Sequence, residues 1–215
     1  MSARTLIIGG HGKIALLLEP ILVNGGVPVT AVVRNPDHVA EVEETGATAV
    51  VADVAALDVD ALADLFRGSD AIVWSAGAGG GEAARTYAVD RDAAIRSMDA
   101  AEAAGVSRYV MVSYFGAGPD HGVPEDDPFH AYAEAKAQAD EHLRRSGLDW
   151  TILAPSSLTL DPPVGKIDVD AKESGSVARA DVAAVIAAVL TDRSSAGRTI
   201  AFNTGERPIP EAVAG

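Results

Sequence analysis

The chain has 215 residues, a formal net charge of −14, 48% hydrophobic residues and no cysteine. That length suits one domain that buries its own core without staples, and the missing cysteine excludes a disulfide framework, a thiolate metal site and a cysteine nucleophile. The acidic balance, with Lys and Arg scattered, argues against nucleic acid and anionic lipid as partners, and no apolar run reaches the ~18 residues of a membrane span.

Met1-Ser2-Ala3-Arg4 leads straight into an apolar run, so no signal peptide and a cytoplasmic location are expected. Apolar, largely β-branched runs at Thr5–Ile8, Val29–Val33, Ala49–Val51, Ala71–Trp74, Tyr109–Val112, Trp150–Leu153 and Thr199–Phe202 predict strands buried on both faces. Helical patterns lie between them near Lys13–Asn24, Pro36–Thr45, Leu57–Phe66, Ala84–Ala104, Phe129–Ser146 and Arg179–Thr191, with Gly25, Gly105, Gly147 and Gly197 placed as stops. Alternating β and α predicts a single α/β domain, a doubly wound parallel sheet with right-handed crossovers. Ligands then sit beyond the C-terminal strand ends, so functional residues are sought just after each strand.

The first of these positions is Gly9-Gly10-His11-Gly12-Lys13-Ile14-Ala15. An apolar strand, a glycine cluster and a helix together predict a phosphate-binding turn, with Gly9 turning the chain and Gly12 admitting a pyrophosphate. Ala15 stands in the place of a third glycine, small enough for helix to pack on strand. The helix N-terminus would add unpaired N–H groups and its positive dipole end.

After the second strand comes Arg34, where an acid would hold the ribose hydroxyls of NAD; a guanidinium there suits a 2′-phosphate, so NADP(H) is expected ahead of NAD(H), with Asp37 nearby as a contrary sign. After the third come Asp53 and Val54, which can offer a carboxylate and a backbone N–H to adenine; Asp53 serves equally well as a helix cap. After the fourth, Ser75-Ala76-Gly77 and the glycines through Gly81 let a cofactor pass close to the backbone, part of the run being a mobile loop.

Ser113 ends the fifth strand, placed to donate to a substrate oxygen, or to act as an ordinary turn residue. Tyr132 and Lys136 follow at i, i+4 spacing, one turn apart on one helix face. An ammonium there should lower the phenol's pKa toward neutrality and make Tyr132 a proton donor to a carbonyl being reduced. Asp90, read by itself, belongs to the wet face of a crossover helix. The five histidines, His11, His38, His121, His130 and His142, show no metal-ligand pattern, and a solvent-facing side chain is the simpler expectation for His130.

Over essentially its whole length the chain resembles the short-chain dehydrogenase/reductase superfamily, and within it the compact atypical NAD(P)-binding members often named epimerases or reductases. The resemblance rests on the first glycine turn, Arg34, Asp53, Ser75 to Gly77, Ser113, Tyr132 to Lys136, Ala154 to Leu158 and Arg179 to Ala183. It implies Ser113, Tyr132 and Lys136 as catalytic residues, with Lys136 also on the nicotinamide ribose. It places Pro155, Ser156, Ser157 and Leu158 beside the nicotinamide and Asp90 where the family has an active-site asparagine. The substrate pocket would be walled by loops near 114–128 and 156–178. The function implied is an NADP(H)-dependent oxidoreductase acting on a small carbonyl, quinone or flavin-like molecule, as a monomer or small homo-oligomer. The alternatives are a nucleotide-sugar epimerase or dehydratase and a non-enzymatic NADP(H)-binding sensor.

Overall fold

The computed structural model describes residues 4–79 and 82–214. Gly80 and Gly81 of the expected mobile loop, and Met1 to Ala3, lie outside the described residues. The strands are β1 (Thr5–Ile8), β2 (Val29–Val33), β3 (Thr48–Val51), β4 (Ala71–Trp74), β5 (Arg108–Val112), β6 (Asp149–Pro155), β7 (Ser157–Thr159), β8 (Lys166–Asp168), β9 (Ser176–Ala178), β10 (Arg198–Thr204) and β11 (Arg207–Pro208). The main sheet runs β11-β8-β10-β6-β5-β4-β1-β2-β3. It is parallel from β3 to β10, and β8 and β11 extend it antiparallel. β7 and β9 form a separate parallel pair. The order reverses between β1 and β4; β2 and β4 flank β1 and both pair with Thr5–Ile8 in matching register.

The period-2 alternation of each central strand splits between two cores, one on each face of the sheet. Ile7, Val73, Val110 and Leu153 enter one core, which includes α1 (Ala15–Asn24) and α7 (Arg179–Thr191). Leu6, Ile8, Ile72, Trp74, Tyr109, Met111 and Ile152 enter the other, against α3 (Val59–Phe66), α5 (Ala94–Ala104) and α6 (His130–Arg145). α2 (Val39–Glu44), α4 (Ala83–Thr86) and α8 (Ile209–Val213) are short. The crossover helix expected at Ala84–Ala104 is α4, a π-helical stretch at Tyr87–Ala93 and α5, ended by Gly105 in the left-handed conformation at φ 73°. Among the described residues no helix is long and apolar enough to cross a membrane.

Candidate functional site

The reversal between β1 and β4 opens a crevice beyond the carboxyl ends of the strands, where ligands of open α/β sheets bind. The turn after β1 is packed into its floor. Gly9 sits at φ 86°, and a Cβ there would lie 2.7 Å from the Ala76 backbone. A Cβ on Gly10 would strike the Ala31 methyl at 2.6 Å, so Gly10 serves sheet packing and does not line the groove. Gly12 lines the groove, its amide bonded to the Gly9 carbonyl at 2.8 Å. The Lys13 side chain is exposed and Ile14 is buried in the core, and neither lines the groove.

The groove holds about 280 Å³ and runs from Gly12 past Arg34 and Asp53 to Gly77. Arg34 stands exposed at the end of β2 and makes no ion pair or hydrogen bond among the described residues. The next residue, Asn35, caps the short helix at Pro36–His38 through the Asp37 amide. His38 stacks on His11 at 3.5 Å between ring centroids, and His11 Nε2 lies 2.7 Å from Glu41 Oε2, so both rings form one wall. Asp53 does not cap α3: Asp58 does, accepting from the Ala61 amide at 2.9 Å. The Asp53 carboxylate accepts from its own turn, at the Ala55 amide, and Asp53 and Val54 both line the groove. Ser75, Ala76 and Gly77 line it from β4. A dinucleotide fits this donor set: a floor without side chains at Gly9 and Gly12, a helix start behind it, and an unpaired guanidinium at the far end.

Gly77 and Ala78 also border a second chamber of about 760 Å³. Its walls are Tyr87 and Asp90 from the π-helical stretch and Phe129, His130 and Tyr132 at the start of α6. Asp90, 1% exposed, is not on a wet face. The extra residue in a π-turn rotates the side chains that follow, a device common at functional sites. Asp90 Oδ2 accepts from the Ala78 amide at 2.9 Å, which ties the helix to the loop after β4. The loop at 114–128 supplies Glu125 and Asp127 to the chamber. His121 pins it, accepting from the Val123 amide at 3.0 Å and reaching Glu134 at 3.2 Å. His130 also faces the chamber, with Nδ1 2.9 Å from the Val123 carbonyl.

Behind the chamber lies a buried group of charges. Lys136 Nζ donates to the Val112 carbonyl at 2.7 Å and lies 3.3 Å from Met111 Sδ. Asp140, one turn further along α6 and fully buried, accepts from the Ser113 hydroxyl at 2.6 Å, and its Oδ1 has no partner. Burial pushes both Asp140 and Asp90 above the usual carboxylate range against the pull of Lys136. Burial pushes Lys136 down, opposed by Asp140 and Asp90. The expected lowering of Tyr132 is reversed: burial first, then Asp90 and Asp140, raise its pKa above that of an ordinary phenol. The i, i+4 spacing is as expected, but the ammonium donates to the Val112 carbonyl, and burial and the two carboxylates outweigh it at the phenol. Ser113 is turned to Asp140 and away from the chamber. Tyr132 lines the chamber, and its hydroxyl has no hydrogen-bond partner among the described residues.

The segment expected as the other wall starts at the end of β6. Pro155, Ser156, Ser157 and Leu158, and the stretch through residue 178, line neither cavity. The Ser156 hydroxyl donates to Asn203 and its amide to the Phe202 carbonyl, which hold it against β10. Asp181 takes the Val164 and Gly165 amides and folds that segment onto α7. Sequence inspection missed Asp140, whose one signal was its i, i+4 place after Lys136, and the aromatic walls Tyr87 and Phe129.

Groove and chamber define a Rossmann-type nucleotide-binding protein. Residues 9–193 match the NAD(P)H-binding family, and the chain belongs to it. It is 32% identical over 214 residues to the uncharacterized sugar epimerase YhfK of Bacillus subtilis, covering 98% of each chain. Among solved structures, a Bacillus halodurans protein provisionally named an NAD-dependent epimerase/dehydratase superposes with a TM-score of 0.90 at 34% identity, over 99% of each chain. The oxidoreductase ylbE of Lactococcus lactis does so at 0.86 and 30%, over 98% of this chain and 94% of that one.

Proposed function

We propose that the protein is an NADP(H)-dependent oxidoreductase that reduces a small carbonyl, quinone or flavin-like substrate. The observation that carries this is the free Tyr132 hydroxyl, facing a chamber that shares Gly77 and Ala78 with the dinucleotide groove. Arg34, unpaired at the end of β2, supports selection of the 2′-phosphate. Gly9, Gly12, Asp53, Val54 and Ser75 to Gly77 would hold the rest of the dinucleotide, which when bound supplies the hydride.

Reduction leaves charge on the substrate oxygen, which must be met by a donor as it develops. Tyr132, kept protonated by burial and by Asp90 and Asp140, carries a proton to offer that oxygen. Ser113 has one proton and Asp140 takes it, so Ser113 can offer the chamber only lone pairs while Asp140 is ionised. Lys136 and Asp90 hold the wall of the chamber in place. NADPH consumption with a panel of aldehydes and ketones tests the proposal. Tyr132→Phe should lower turnover by roughly 10²–10⁴-fold with NADPH binding nearly intact. Turnover of a carbonyl substrate that survives this change overturns the role given to Tyr132.

A further inference from the structure

The crevice is polarised along its length. The groove end carries Arg34 and Arg85. The chamber end has Asp90, Glu125 and Asp127 in its lining and neither lysine nor arginine. Of the cations on its flanking elements, Arg85 lines the groove, Lys136 is buried on the Val112 carbonyl, and Arg91 lies over the Tyr87 ring at 4.7 Å, bonded to Asp92 at 2.6 Å. His130, the remaining titratable imidazole of the wall, directs Nδ1 at the Val123 carbonyl. The same chamber is lined by the rings of Tyr87, Phe129 and Tyr132; Phe129 and Tyr132 lie 5.2 Å apart, and Tyr114 packs against them from outside the lining, edge-on to Phe129 at 5.2 Å and 5.6 Å from Tyr132.

We infer, on the footing that the groove holds a pyridine dinucleotide, that the chamber takes an uncharged or cationic ring-bearing molecule and turns anions away. A cavity of about 760 Å³ is large enough for a two- or three-ring system, and aromatic walls reward a planar ligand beyond its area. A diphosphate or carboxylate group would enter with no arginine or lysine in the lining to receive it and with three carboxylates to repel it. The site rests on the cavity and on the unpaired Tyr132 hydroxyl; the acids set the sign of what enters. On this proposal nucleotide sugars would be turned away as well, in contrast to the epimerase names of its relatives.

The test is calorimetric binding of 1,4-naphthoquinone and of its 2-sulfonate to protein saturated with NADP+, at pH 8 and low ionic strength. The sulfonate should bind at least about tenfold more weakly, with the gap closing as salt is added. The double variant Glu125→Gln with Asp127→Asn changes two exposed loop residues and should narrow the gap as well. Equal or tighter binding of the sulfonate overturns the proposal, as does a gap that the double variant leaves unchanged. Binding of neither quinone by protein that takes up NADP+ overturns it while leaving the dinucleotide groove standing. Failure to take up NADP+ at all removes the groove reading, and the proposal with it.

Discussion

Glu19 is a carboxylate with no access to water on the helix that follows the phosphate-binding turn. Its Oε2 lies 2.9 Å from Thr45 Oγ1 and its Oε1 has no partner. Thr45 has one hydrogen, for which the Glu19 carboxylate competes with the Val42 carbonyl at 2.6 Å. An ionised Glu19 is therefore served by at most one shared hydrogen bond. Burial accordingly raises its pKa from 4.5 to about 7, with Thr45 pulling the other way. The folded chain holds this proton more tightly than the unfolded chain does. The stability it contributes is full below about 4.5 and is lost as pH rises through about 7. At ~1.4 kcal/mol per pH unit between the two values, the loss amounts to roughly 3 kcal/mol. Glu19→Gln keeps the shape and places an N–H₂ where the acid proton sat. Urea unfolding of both proteins at pH 5 and pH 8.5 reads the effect. The variant should match the wild type at pH 5 and exceed it by roughly 2–3 kcal/mol at pH 8.5. Other buried carboxylates cancel in the difference between the two proteins. Parallel stability profiles would show that Glu19 is not held protonated and would refute the reasoning.

Gly12→Val should leave the fold intact and sharply reduce NADPH affinity by fluorescence titration, since the branched side chain projects over the floor of the groove beside the Gly9 carbonyl; unchanged affinity in a folded variant would displace the dinucleotide from this turn. Arg34→Ala should cost about tenfold or more in NADPH affinity and barely move NADH, because a charge-assisted bond is worth ~1.5–3 kcal/mol; equal losses would show that Arg34 does not meet a 2′-phosphate. Arg108 is buried, its pKa lowered by burial to about 10, and it donates to the carbonyls of Asp149 and Val189 and to Ser195 Oγ. Arg108→Met should orphan those acceptors and lower the unfolding free energy by roughly 2–4 kcal/mol, read from urea midpoints.

The chain's own order of residues decides the strands β1, β2 and β4 to the residue, because each is a short run of apolar and β-branched residues. It decides the helix ends as well: Gly105 takes the left-handed conformation that stops α5. Those are local properties, carried by periodicity and backbone preference. The groove was legible for the same reason, since a glycine turn between strand and helix has few other uses. What tertiary structure alone decided is direction. Gly10 is a glycine because Ala31 of the neighbouring strand lies against it. Lys136 has the spacing to serve Tyr132, yet its ammonium donates to a carbonyl at the end of β5, on an element that sequence distance keeps apart from α6. The π-turn that buries Asp90 cannot be told from an ordinary amphipathic helix by its pattern, because the shift is a single residue. The segment after β6 is tied to β10 by Asn203 and to α7 by Asp181 through bonds that no local pattern encodes. Hydrophobic spacing says which face of an element is buried, but where a buried polar side chain points depends on the partner nearest to it in space, and only the folded chain supplies that partner.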